Sequence, residues 1–137
     1  MLTIKTKIGP SKIQGIGLFA DEEIPKGTIV WKFNPLIDIS LSKEELKKLS
    51  KESKEQIKKY AYLDKYSKKY VLCGDDGRFF NHSDSPNCDG NSENKIINNI
   101  TTALRSIKNG EELTVNYKLF YENMDEHPKI SSAKHLK

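Results

Sequence analysis

The chain has 137 residues, of which 36% are hydrophobic, and its mean hydropathy is −0.67. This length suits one domain with a modest core. The sequence contains no run of about 18 apolar residues, so we expect no membrane span. The segment Met1–Gly9 carries lysines and lacks an apolar stretch, which argues against a secretory signal peptide. We therefore expect an intracellular protein.

The formal net charge of +4 arises from 23 Lys and Arg against 19 Asp and Glu. The excess is local, because Lys43–Tyr70 holds ten lysines against five acids, a net +5. Such a run is typical of a solvated helical face, and a surface for an acidic partner is the alternative. Only Arg78 and Arg105 are arginines, the residue that nucleic-acid readers favour. We therefore do not expect nucleic acid as a direct ligand; a Lys43–Lys69 face that bound it would lose affinity steeply with salt.

Two cysteines, Cys73 and Cys88, lie near His82 but not at zinc-finger spacing, and the sequence offers no evident fourth ligand. We predict two ordinary thiols and no metal.

The order of elements predicts a mostly β fold with one helical insertion. Thr28–Phe33 is rich in β-branched and aromatic residues and follows a turn, as a strand does. Capping boxes at Ser42–Glu45 and Ser53–Gln56 predict helix starts within an insertion at about residues 42–66. Further strands are predicted over the segments Tyr70–Leu72, Lys95–Ile100, Thr102–Leu104 and Glu112–Tyr117. The pattern gives many small twisted sheets but not the strand order.

Three segments indicate chemistry. In Gly15-Ile16-Gly17 two glycines let the backbone approach a ligand closely, although a hairpin bulge explains them equally well. In Asn81-His82-Ser83 the amide can recognise an amino-acid head group, and an Asx turn is the alternative. His82 taken alone is more often structural and could act through its backbone. A tyrosine such as Tyr117, ending an apolar strand, can place a phenol at a pocket mouth or can be core.

Together and in this order, the three segments resemble the SET-domain protein-lysine methyltransferases. Asn81-His82-Ser83 with Pro86-Asn87-Cys88 matches that family's asparagine-histidine-serine motif, and Gly110–Tyr117 is similar to its closing motif. The resemblance runs from about Ile4 to Tyr121, so we place the SET domain at residues 1–121 and a C-terminal tail at 122–137. It implies a β-clip-like fold with a knot-like core. It also implies that the closing segment threads beside Asn81 and His82.

The resemblance also implies S-adenosylmethionine as the cofactor and Tyr117 as the catalytic residue. The implied cofactor-binding residues are Gly15, Ile16, Gly17, Asn81, His82, Tyr117 and Phe120. The side chains expected along the substrate channel are Tyr62, Phe79 and Val115. The expected partner is a protein that presents a lysine, and its ε-amine must lose a proton before it accepts a methyl group.

The sequence departs from the family at several positions. Asn116 stands where an acidic residue often precedes the tyrosine, and Val115 stands where several members carry Phe or Tyr that influences the number of methyl groups added. Flanking cysteine-rich zinc segments are absent, as in the minimal microbial and viral forms, so histone specificity is not implied. We expect a cytoplasmic protein, or a nuclear one if the host or target is eukaryotic.

Alternative functions stay open at this point: a non-catalytic SET-like protein-binding module, or a methyltransferase acting on a small molecule or an N-terminal amine. A homodimer is also left open.

Overall fold

A computed structural model describes residues 1–89 and 100–119 of the chain. Within these residues, ten strands of two to five residues alternate with two helices. The strands are β1 (Thr6–Pro10), β2 (Ile16–Ala20), β3 (Ile29–Lys32), β4 (Ile39–Leu41), β5 (Tyr62–Leu63), β6 (Tyr70–Leu72), β7 (Asn81–His82), β8 (Cys88–Asp89), β9 (Ile100–Ala103) and β10 (Thr114–Val115). The helices are α1 (Lys43–Lys47) and α2 (Lys51–Tyr60), and 3-10 turns lie at Asp76–Phe79 and Tyr117–Leu119.

The strands form four small sheets. β1 and β2 make an antiparallel hairpin, β3-β9-β8 and β4-β6-β5 are three-stranded antiparallel sheets, and β7 pairs with β10 in parallel. The prediction of a mostly β chain of small sheets is confirmed. A parallel pair cannot be closed by a tight turn, so β7 and β10 come together only through the long connection between them.

Strand β2 contacts an early segment of the chain on one edge and a late segment on the other. The β1–β2 hairpin closes where the Ser11 amide donates to the Gly15 carbonyl at 2.8 Å, and Gly15 takes the positive φ of 48° that glycine tolerates best. On the other edge of β2, the amide of Leu113 donates to the carbonyl of Leu18 at 2.7 Å. The predicted Gly15–Gly17 segment is therefore held against the closing segment of the chain.

The helical insertion begins as predicted and then departs from the prediction. The capping box of α1 is present, because the Ser42 hydroxyl accepts from the Glu45 amide and the Glu45 carboxylate accepts from the Ser42 amide. The predicted helix start at Ser53 is wrong. The Ser50 hydroxyl caps α2 by accepting from the Ser53 amide at 3.1 Å, which puts Ser53 inside the first turn. Neither helix has the length and apolar run that crossing a bilayer requires.

The closing segment is less regular than predicted. Within Glu112–Tyr117 only Thr114–Val115 is a strand, while Glu112 forms an isolated bridge with Phe19 and Tyr117 opens a 3-10 turn. The predicted strand at Lys95–Ile100 lies outside the described residues except for Ile100, which begins β9. The proposed boundary between residues 121 and 122 also lies outside them.

The core joins the sheets around β2, β3 and the closing segment. Its largest fully buried apolar side chains are Leu18, Ile24, Ile107, Leu113 and Val30, and Tyr117 belongs to the same cluster. Cys73 and Cys88 are both buried, and neither forms a disulfide. In residues 1–89 and 100–119 no group of three or more potential metal-ligating acids, histidines or cysteines gathers at one point.

Candidate active site

The parallel pairing of β7 and β10 builds the site. Asn81 pairs with Thr114 and His82 with Val115, and the Ser83 amide donates to the Val115 carbonyl at 3.0 Å. Residues more than 30 positions apart in the sequence therefore become neighbours. Because the chain leaves β10 directly into the turn at Tyr117, the tyrosine lies beside the Asn81-His82 strand.

Tyr117 is held by hydrogen bonds from both its backbone and its side chain. Its hydroxyl donates to the carbonyl of Phe80, and its amide donates to Nδ1 of His82 at 3.1 Å. Burial raises the pKa of the phenol well above its usual value, and the charges of Cys73, once it is ionised, and of Glu112 act in the same direction. The phenol therefore stays protonated at neutral pH. Its one proton is donated to the Phe80 carbonyl, so its oxygen can accept a hydrogen bond from a ligand, but it is a poor general base.

The Asn81 side chain, only 1% exposed, lies in a nest of hydrogen-bond acceptors. Four acceptors lie within 3.4 Å of its Nδ2 atom: Ser11 Oγ, the carbonyls of Gln14 and Ile16, and Glu112 Oε2. An amide nitrogen carries two hydrogens and cannot satisfy four acceptors at once. Four oxygens thus share the two hydrogens of Asn81, and one of them belongs to the Glu112 carboxylate, whose negative charge suits a positively charged group such as an ammonium.

The Glu112 carboxylate organises this nest. It accepts from the Ser11 hydroxyl at 2.8 Å and from the Asn81 amide at 2.9 Å. A Cβ atom on Gly17 would lie 2.6 Å from Glu112 Oε2, so the glycine is what lets the carboxylate sit there. At Gly15 a Cβ would meet no atom within 4 Å, which leaves the hairpin turn open on that side.

Asn87 fastens the motif loop to the closing segment. Its side-chain amide donates to the Glu112 carbonyl at 2.8 Å, and its Oδ1 accepts from the Thr114 amide at 2.9 Å. With Asn87 only 4% exposed, these bonds are shielded from water. They fix the backbone on both sides of Leu113, and thus the register of β10 against β7.

The residues predicted along a substrate channel occupy different surroundings. Val115 is buried and lies opposite His82. Phe79 is half-buried and packs edge-on against the ring of Tyr60, with the ring centroids 6.5 Å apart. Tyr62 is half-buried in β5, which belongs to another sheet than β7 and β10. Phe120, predicted to contact the cofactor, lies outside the described residues.

The structure brings Gly17, Asn81, His82, Val115 and Tyr117 together, and it adds residues that the sequence analysis did not place in the site. Glu112 and Asn87 lie within the motif segments, and a polar side chain among apolar neighbours is the feature of the sequence that could have indicated their roles. Ser11 carried no such signal, because its role depends on the fold of the hairpin.

The comparison with known proteins agrees with this architecture. The chain matches the family model of the SET domain over residues 15–118. It is 31% identical over 122 residues to human histone-lysine N-methyltransferase 2D, covering 85% of this chain and 2% of that protein. It is 33% identical over 129 residues to the Drosophila melanogaster histone-lysine N-methyltransferase trr, covering 90% of this chain and 5% of that protein. The chain thus spans a small part of these relatives.

Solved structures share the fold. A humanized mutant of the Chaetomium thermophilum Polycomb Repressive Complex 2, bound to the inhibitor GSK126, aligns with a TM-score of 0.62 and 25% identity, covering 89% of this chain and 16% of that one. The Neurospora SET domain protein DIM-5, a histone lysine methyltransferase, aligns with a TM-score of 0.56 and 22% identity, covering 85% of this chain and 53% of that one. The chain therefore belongs to the SET-domain family of protein-lysine methyltransferases.

Proposed function

We propose that this chain transfers a methyl group from S-adenosylmethionine to the ε-amine of a lysine in a protein. The observation that supports this most directly is the pairing of β7 with β10, which puts Asn81, His82 and Tyr117 in one cluster. The relatives of 30–33% identity are named histone-lysine N-methyltransferases, which favours a protein lysine as the acceptor.

The surroundings of Asn81 fit the cofactor. The methionine end of S-adenosylmethionine carries an ammonium, and the acceptor nest around Asn81 Nδ2 offers more acceptors than the amide can satisfy. The open space at Gly15 leaves the backbone of the hairpin turn accessible to a ligand. We propose that Gly15, Ile16, Gly17, Asn81, His82, Tyr117 and Phe120 hold the cofactor, which supplies a methyl group on a sulfonium.

The chemistry of the acceptor follows from Tyr117 and its neighbours. A lysine amine has an ordinary pKa of about 10.4 and must be neutral to attack. An apolar channel favours the neutral amine, and the buried Val115 beside His82 and the half-buried Phe79 would contribute such surface. Because the Tyr117 phenol stays protonated, the proton of the amine leaves to water. The phenol then positions the amine and stabilises charge, and alignment supplies much of the acceleration.

Transfer of a labelled methyl group tests this function. The purified chain is incubated with methyl-labelled cofactor and either a histone mixture or a cell lysate, and mass spectrometry locates the labelled residues. We expect label on lysine side chains, reduced by excess unlabelled cofactor. Titration calorimetry with the cofactor alone measures binding separately. Binding without transfer would favour a non-catalytic SET-like module. The absence of both binding and transfer would overturn the proposal.

A further inference from the structure

We propose that the imidazole of His82 is a positioning residue that holds Tyr117 only in its neutral form, so that protonation of His82 releases the tyrosine. The inference rests on the proposed function in that it takes Tyr117 as the catalytic residue. The His82 side chain is 20% exposed and lies against Tyr117, with ring centroids 5.5 Å apart. Its side chain therefore faces the tyrosine, whatever its main chain contributes to the cofactor.

The hydrogen bonds of His82 define which ring nitrogen carries the proton. The Tyr117 amide can only donate, and it points at Nδ1 from 3.1 Å, so Nδ1 must present a lone pair. The proton of the neutral ring is then on Nε2. From there it is donated to Oδ1 of Asp84 at 3.2 Å. The ring is thus held between an obligatory donor and a carboxylate, in one tautomer.

Protonation removes the acceptor. An imidazolium carries N–H groups on both nitrogens, so Nδ1–H would face the N–H of Tyr117. Tyr117 is the first residue of its 3-10 turn, where backbone amides have no acceptor within the turn itself. The backbone that carries the phenol would lose this bond and shift away from the imidazolium. An imidazole is the side chain whose charge ordinarily changes between about pH 5 and pH 8.

Two charged side chains, Asp84 and Lys118, lie at the exposed side of the ring. The Asp84 oxygen that faces Nε2 of His82 also binds Nζ of Lys118 at 3.1 Å. The hydrogen bond and charge of Lys118, followed by those of His82, lower the pKa of Asp84, so this carboxylate stays ionised at mildly acidic pH. Asp84 and Lys118 are 75% and 59% exposed, so water screens both. The Tyr117 phenol faces the ring as a neutral group.

The substitution His82→Asn distinguishes an effect of His82 protonation on Tyr117 from a general loss of structure. An asparagine side chain can place an amide oxygen near the position of Nδ1, so it accepts from Tyr117 but does not titrate. Methyl transfer is measured for the wild type, His82→Asn and His82→Ala from about pH 8.5 to about pH 5.5, with cofactor affinity followed at each pH. Deprotonation of the acceptor lysine contributes the same pH dependence to all three proteins, so it cancels when their profiles are compared. We expect kcat of the wild type to fall about fivefold to tenfold further at low pH than kcat of His82→Asn. His82→Ala should be slow throughout. Parallel profiles for the wild type and His82→Asn would overturn the inference.

Nitrogen NMR of the imidazole gives a readout that needs no turnover. We expect an unprotonated Nδ1 and a protonated Nε2 at high pH, and a Tyr117 amide resonance that shifts with the titration of His82. The His82 signals are those lost in His82→Asn, which separates them from His127 and His135. A proton on Nδ1 at high pH, or a Tyr117 amide that does not follow the titration, would overturn the inference. A coupled titration in a chain without methyl transfer would support the link between the two residues while the proposed function fails.

Discussion

Gly9 and Gly17 lie opposite each other across the β1–β2 hairpin, but only Gly17 lies against the Glu112 carboxylate. A Cβ atom on Gly9 would sit 3.8 Å from the Phe19 ring, an ordinary contact. On Gly17 it would sit 2.6 Å from Glu112 Oε2 and 3.0 Å from the Cβ atom of Ser11. The two glycines thus form a matched pair in one hairpin, one neutral to the site and one required by it.

Gly17→Ala should weaken the acceptor nest around Asn81. The methyl group displaces the Glu112 carboxylate, which then loses its bonds to Ser11 and Asn81, each worth about 1 kcal/mol. We expect several-fold weaker cofactor binding by calorimetry and a lower free energy of unfolding in urea. Gly9→Ala is the control and should change neither by much. Equal effects of the two substitutions would mean that the hairpin responds to any added methyl group.

Asn87→Ala should destabilise the fold more than an ordinary surface change. The substitution leaves the Glu112 carbonyl and the Thr114 amide without their side-chain partner, at about 1–3 kcal/mol for each buried group. We expect the free energy of unfolding, measured by urea denaturation, to fall by about 2–6 kcal/mol. Ser85→Ala changes an exposed residue of the same loop and should be close to neutral. A neutral Asn87→Ala would show that the loop is held by other contacts.

The sequence predicted the local elements where each residue acts on its near neighbours. The Ser42–Glu45 capping box and the strand at β3 involve residues a few positions apart, and both are present. The error at Ser53 has the same local origin, because Ser50 and Ser53 both precede helix-forming residues. Only the hydrogen bond from the Ser53 amide to the Ser50 hydroxyl decides between them.

The site itself depends on contacts between distant segments, and only the family resemblance foresaw them. Asn81 is 31 residues from Glu112 and 70 residues from Ser11, and no periodicity links such positions. The resemblance placed Asn81, His82 and Tyr117 together, and the parallel β7–β10 pair is how the chain does this. It did not supply Ser11, because a hydroxyl in a hairpin turn becomes part of a site only once the hairpin is placed.

Tyr117→Phe should lower turnover far more than it weakens cofactor binding. The phenol oxygen is the buried polar group that we propose to position the methyl acceptor, by accepting from its N–H, and loss of one preorganised hydrogen-bonding group costs about a hundredfold or more in turnover. The Phe80 carbonyl also loses its partner, so stability should fall by about 1–2 kcal/mol. Transfer is therefore measured well below the melting temperature of the variant, beside its cofactor affinity. Tyr70→Phe in β6 is the control and should keep its activity. Near-normal turnover in Tyr117→Phe would remove the tyrosine from the mechanism.

The buried thiols should make the fold sensitive to alkali. Burial raises the pKa of both Cys73 and Cys88 from 9.0 to about 12. A pKa that is higher in the folded chain stabilises it fully below the unfolded value of 9.0, and this contribution is lost as the pH rises towards 12.

Between these pH values each thiol should cost about 1 kcal/mol of stability per pH unit. Urea denaturation in the presence of a reductant, repeated from about pH 8 to about pH 11, measures this slope. The doubly substituted chain Cys73→Ala, Cys88→Ala is the matched comparison. It should be less stable near neutrality, because it loses buried volume, but flatter towards alkali. The Tyr117 phenol, whose pKa is raised mainly by burial, remains in both proteins, so the effect of its burial is common to them. Equal slopes would mean that the two thiols do not titrate differently in the folded and unfolded chains.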